Sequence, residues 1–81
     1  MHDMSGKTVM ITGASRGIGA DTARIFAQAG ANVALVARGG DAIGALAADI
    51  GPQAIALPCD VSDFPAVNEA VAQTVAAFGT L

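Results

Sequence analysis

"VMITGASRGIGAD", residues 9–21, is the stretch that decides how this chain folds. Three glycines, Gly13, Gly17 and Gly19, stand between an apolar run and a stretch of helical spacing. The run before them, Lys7 to Thr12, is short and rich in β-branched residues, which predicts a buried strand. After them, Ile18, Thr22, Ile25, Phe26 and Ala29 form the stripe of a helix packed on a sheet. Gly30 then suits the residue after the helix, because glycine takes positive φ without a Cβ clash.

The same alternation continues along the chain. "NVALVA", residues 32–37, is continuously apolar, as in a parallel strand covered on both faces. Asp41 is placed to cap a second helix, with Ile43, Leu46, Ala47 and Ile50 on one face and Gly51 at its end. "AIALP" gives a third strand. Ser62 or Asp63 then caps a third helix, which tolerates Pro65 in its first turn. Its apolar face is expected to run through Phe64, Val67, Val71, Thr74 and Phe78, and Gly79 ends it. The order β-α-β-α-β-α with short connections implies an α/β fold with a parallel sheet. It is the first half of a doubly wound, Rossmann-type fold, and residues 1–81 form that half of a single domain.

Composition narrows the function. The chain is 53% hydrophobic and 14% charged, with a net charge of −3 and four scattered basic residues. No basic stripe or set of stacking aromatics points to nucleic acid. No apolar run approaches the roughly 18 residues of a membrane span, and "MHDMSGK" lacks the apolar stretch of a signal peptide. The single cysteine, Cys59, has no internal disulfide partner, so a soluble cytoplasmic protein is the default. No metal site is expected.

A glycine loop between strand and helix has a physical use. The first N–H groups of a helix are unpaired and carry the positive end of its dipole, so a pyrophosphate is held there. Gly13 lets the chain turn off the strand, while Gly17 and Gly19 remove side chains where phosphates and the neighbouring strand come close. The alternative is a plain glycine-rich turn. A P-loop is disfavoured because no Gly-Lys-Ser/Thr follows.

"TGASRGIG", residues 12–19, resembles the cofactor loop of the short-chain dehydrogenase/reductase family, whose pattern is T-G-x-x-x-G-x-G. Thr12 and Gly13 to Gly19 match without departure. "GANVALVAR" resembles the family's second strand, "CDVSD" the end of its third, and "FGTL" the segment before its fourth. The resemblance implies that Gly13, Ser15, Arg16, Gly17, Ile18 and Gly19 face the cofactor. It also implies that Asp60 accepts from the adenine amino group and that Val61 walls the adenine; the alternative for Asp60 is a helix cap.

In NAD sites a carboxylate at the end of the second strand binds the ribose hydroxyls. Here that position is Ala37, followed by Arg38, and Arg16 lies in the loop. Two guanidiniums beside the ribose favour a 2′-phosphate, so NADP is expected over NAD, with Arg38 and Arg16 on the phosphate. The alternative is that Arg38 is a solvated strand-end charge.

Family chemistry is hydride transfer between a nicotinamide and a carbonyl or alcohol, run by a Tyr-x-x-x-Lys pair, a serine and an asparagine. The sequence holds no tyrosine, and its only lysine, Lys7, precedes the loop. No catalytic residue is therefore carried over. The expectation is the N-terminal cofactor-binding piece of a longer NADP-dependent oxidoreductase acting on a small-molecule alcohol or carbonyl. The resemblance further implies a homo-oligomer. The competing reading is a non-catalytic dinucleotide-binding or regulatory module. Asp21, Arg24, Asp49 and Glu69 are expected on solvated helix faces, His2 in a disordered tail rather than a catalytic site, and Cys59 as a partly buried small residue.

Overall fold

The computed structural model describes residues 4–14 and 17–79. Three strands, β1 (Thr8–Thr12), β2 (Asn32–Ala37) and β3 (Ala54–Pro58), alternate with helices α1 (Gly17–Gln28), α2 (Gly40–Ile50) and α3 (Phe64–Phe78). The sheet is parallel throughout, in the order β1-β2-β3. Every expected element is present, within a residue or two of its expected bounds.

Continuous apolarity in β2 has the consequence expected of it. Val33, Ala34, Leu35 and Val36 are all buried, on alternate faces of the sheet. Val33 and Leu35 join Ile11, Ala23, Ala27, Ile43 and Leu46 on the face covered by α1 and α2. Ala34 and Val36 join Leu57, Cys59 and Ala70 on the face covered by α3. Each of the larger buried side chains contributes about 1.5–3 kcal/mol of transfer free energy. Helices on both faces are what a doubly wound half requires.

The helix α1 corrects the expected stripe. Its buried residues are Ala23 and Ala27, flanked by half-buried Ala20 and Phe26. Ile18 and Ile25 point outward, Ile18 being 86% exposed. Small side chains line this contact because the start of the helix lies against the turn after β1. In α2 the expected face holds: Ile43 and Leu46 are buried and Ala47 and Ile50 pack against them. Its cap does not. Extended Gly39 is the N-cap and makes no side-chain bond, so Asp41 lies inside the first turn. There its carboxylate still complements the helix dipole.

Asp63 caps α3, its Oδ1 accepting from Ala66 N–H at 3.2 Å. Ser62 does not cap. Along α3, Ala70 and Thr74 are the buried pair, with Val67, Val71 and Phe78 half-buried. Phe64 was expected on the packed face but is 77% exposed, because it heads the helix before the chain has settled onto the sheet. Thr74 is accommodated by donating its hydroxyl to the Ala70 carbonyl at 2.8 Å. Glu69 accepts from Gln73 at 3.2 Å on the solvated side.

At the end of the sheet where the strands begin, an unanticipated residue does the joining. Gln53 Nε2 donates to the carbonyls of Ala27, at 3.1 Å, and Ala31, at 2.9 Å. Ala27 lies in the last turn of α1, where carbonyls lack helical partners. Gly30 closes the same helix at φ 103°, with Ala31 N–H on Phe26 O and Gly30 N–H on Ala27 O, the Schellman arrangement. Arg24 of α1 and Asp49 of α2 form an exposed ion pair nearby.

Candidate functional site: the rim where the strands end

The register places the three strand ends on one rim. Thr12 is opposite Val36, and Ala37 is opposite Pro58. The segments that follow the strands therefore emerge side by side, as ligand crevices do in open α/β sheets. Ala14 N–H donates to Val36 O at 3.2 Å, and Cys59 N–H to Ala37 O at 2.8 Å, so both outer segments are tied to β2.

The loop glycines now have separate reasons. Gly13 and Gly17 adopt φ of 65° and 61°, a region L side chains rarely enter. A Cβ on either would meet nothing within 4 Å, so their role here is conformational. Gly19 is the steric one. Its Cβ would lie 2.9 Å from the Gly13 carbonyl carbon, closer still to the oxygen, and 3.2 Å from Ala14 Cα. The close approach at Gly19 is thus to the loop's own backbone, not to the neighbouring strand. Because Gly19 has no side chain, α1 begins hard against the end of β1. Its first turn carries no acidic residue. Ile18 stands exposed at that helix start, while Ser15 and Arg16 lie outside the described residues.

An open cleft of about 260 Å³ lies on this rim. It brings together Gly13, Ala37, Arg38, Cys59, Asp60 and Val61. Four of the expected cofactor contacts are therefore neighbours in space. Val61 is half-exposed and Cys59 is buried. A cleft of similar size between α1 and α2, lined by Arg24, Asp49 and Gln53, lies where the strands begin and, among the described residues, contains none of the expected contacts.

One arrangement in the cleft is not legible in the sequence. Arg38 Nη2 lies 3.0 Å from Asp60 Oδ2, an ion pair joining the ends of β2 and β3. The other carboxylate oxygen, Oδ1, accepts from Ser62 N–H at 2.9 Å and from its hydroxyl at 2.7 Å. Asp60 is accordingly the acceptor of a local turn rather than the cap of α3. The Ser62 hydrogen bonds, with a smaller effect from Arg38, hold its carboxyl below the ordinary value of 3.8. It is therefore ionised at neutral pH. Ala37 leaves β2 without a carboxylate, but β3 delivers one within hydrogen-bonding distance of Arg38. Only the strand register reveals this, because 22 residues separate the two along the chain.

The residues fit a dinucleotide. Gly13, without a side chain, stands at the edge of a cleft that runs across the strand ends, and Gly19 lets α1 start hard against the Gly13–Ala14 backbone. Fold and loop together define a dinucleotide-binding half of the Rossmann type. The chain belongs to the short-chain dehydrogenase family, whose sequence profile matches residues 7–81. It is 42% identical over 81 residues to 2,5-dichloro-2,5-cyclohexadiene-1,4-diol dehydrogenase from Sphingobium indicum, covering 100% of this chain and 32% of that protein. Sorbitol dehydrogenase from Cereibacter sphaeroides is 38% identical over 78 residues, 96% of this chain and 30% of that enzyme. Among solved structures, 3-ketoacyl-(acyl-carrier-protein) reductase from Brucella melitensis, complexed with NADH, superposes with a TM-score of 0.91 at 37% identity. That match covers 94% of this chain and 31% of the reductase. The chain thus spans about a third of the length of these relatives.

Proposed function

We propose that the chain is the NADP(H)-binding part of an oxidoreductase that transfers hydride between a nicotinamide cofactor and a small-molecule carbonyl or alcohol. The observation that carries the cofactor reading is Arg38. Its side chain is 80% exposed at the end of β2, beside the glycine loop, and Ala37 before it offers no carboxylate. An exposed guanidinium on a cleft of this kind suits a 2′-phosphate. The family's recognition of nicotinamide cofactors and the NADH held by the Brucella reductase support the coarser reading.

In this reading Gly13, Ser15, Gly17, Ile18 and Gly19 line the pyrophosphate grip. Arg38 and Arg16 bind the 2′-phosphate, and Asp60 and Val61 meet the adenine. Bound there, the nicotinamide supplies the hydride donor or acceptor. In this reading the residues named here bind and orient it, and no acid–base step is assigned to them. The whole enzyme is expected to be a cytoplasmic homo-oligomer.

Titration of the full chain with NADP+ and NAD+ tests the assignment. Loss of one exposed charge-assisted contact in Arg38→Gln is expected to weaken NADP+ about tenfold, with NAD+ changed less than about twofold. Ala37→Asp is expected to shift preference towards NAD+. Tighter binding of NAD+ by the unaltered protein would overturn the reading.

A further inference from the structure

The Arg38–Asp60 pair points to a second determinant of cofactor choice, acting against the first. Asp60 is held in place. Ser62 donates to its Oδ1 twice, at 2.9 and 2.7 Å, which leaves Oδ2 facing Arg38. Arg38 is the more exposed member, at 80% against 40% for Asp60, and lies open to a ligand entering the cleft. Its guanidinium is therefore already engaged by an anion when a cofactor arrives. NAD asks nothing of Arg38, whereas a 2′-phosphate needs it.

We propose that Asp60 is a specificity-determining residue that restrains the preference for NADP by competing with the 2′-phosphate for Arg38. The proposal rests on the cofactor reading above and adds a residue to it. The fixed carboxylate acts in two ways on a phosphorylated cofactor. It occupies an N–H of the guanidinium that the phosphate must share or displace, and it repels the phosphate as a like charge. Both effects vanish for NAD, which carries a hydroxyl in place of that phosphate. An exposed ion pair is weak enough for a phosphate to open, yet strong enough to change a binding ratio severalfold.

The test is a double-mutant cycle on the full chain, with NADP+ and NAD+ titrated against the unaltered protein, Asp60→Asn, Arg38→Gln and the double variant. Asparagine keeps an oxygen to accept from Ser62, so the turn is retained, and removes only the charge. The NADP+-over-NAD+ ratio is expected to rise about two- to fivefold in Asp60→Asn. The same substitution in the Arg38→Gln background is expected to raise it by clearly less. Ser62→Ala, which loosens the carboxylate without removing it, provides a second variant and is expected to raise the ratio more weakly. A common fall in both affinities reports loss of an adenine contact and leaves the ratio as the readout.

An equal rise in both backgrounds would show Asp60 acting as a distant charge and would overturn the competition. A ratio that is unchanged or lower in Asp60→Asn would overturn it too. Failure of the cofactor reading looks different: Arg38→Gln then leaves NADP+ binding intact.

Discussion

Gly19 offers the most direct test of why the loop is built as it is. In Gly19→Ala the new Cβ meets the Gly13 carbonyl group at well under 3.0 Å and Ala14 Cα at 3.2 Å. Both are backbone, so no side-chain rotation relieves the overlap. Overpacking of this kind costs about 1–3 kcal/mol, and an immovable neighbour puts Gly19 near the upper end. Alanine in place of glycine within a helix returns about 1 kcal/mol. The expected net loss is about 2 kcal/mol. Gly44 supplies the control, since it lies exposed in α2 and a Cβ there meets nothing within 4 Å. Gly44→Ala is expected to gain about 0.5–1 kcal/mol. Urea denaturation of the full chain measures both changes, and the linear extrapolation slopes check that the unfolding remains comparable. Dinucleotide titration of the same proteins follows the site, where only Gly19→Ala is expected to weaken binding. A stabilising Gly19→Ala, matching Gly44→Ala in sign and size, would refute the argument that helix and loop are in hard contact.

Two further outcomes follow from the geometry. Gln53→Ala removes two hydrogen bonds to the Ala27 and Ala31 carbonyls and is expected to cost about 1–3 kcal/mol in urea denaturation; Gln53→Glu is expected to cost more at neutral pH, because its carboxylate faces two acceptors, and equal stability of the two variants would contradict this. Asp60 has a native pKa below its ordinary value. Its contribution to stability is therefore full above the unfolded pKa and lost as pH falls through the lower native one. Asp60→Asn should flatten that acid limb of the urea midpoint against pH, and parallel limbs in variant and parent would count against the hydrogen bonding described.

The elements were legible because several independent signals agreed. In β2 an unbroken apolar run meant burial on both faces, and Val33 to Val36 are buried as that requires. Gly30, Gly51 and Gly79 each end a helix at positive φ, as their positions after apolar stripes implied. The face of α1 departs from its apolar spacing for a physical reason. Isoleucines dominate any reading of apolar spacing, but contact at the close approach of helix and sheet is made by Ala20, Ala23 and Ala27, whose value lies in being small. Asp41 is not the cap of α2, because Gly39, which announces nothing by side chain, takes that position. In the site, Gly13, Arg38, Asp60 and Val61 were all named from sequence, and the cleft gathers them. Their coupling was not legible. That Arg38 meets Asp60 depends on Ala37 standing opposite Pro58, which is a property of strand register and not of either segment.

That register also shapes how such a protein is able to change. A residue gained or lost within β2 would turn every following side chain to the opposite face of the sheet and carry the strand-end arginine away from its partner. Insertions are therefore confined to the connections, while substitutions just past the strand ends leave Leu35, Val36 and the rest of the interior untouched. Arg38 and Asp60 occupy that permissive fringe. A change at either residue therefore alters the rim where the strands end while leaving the buried sheet and its register as they are.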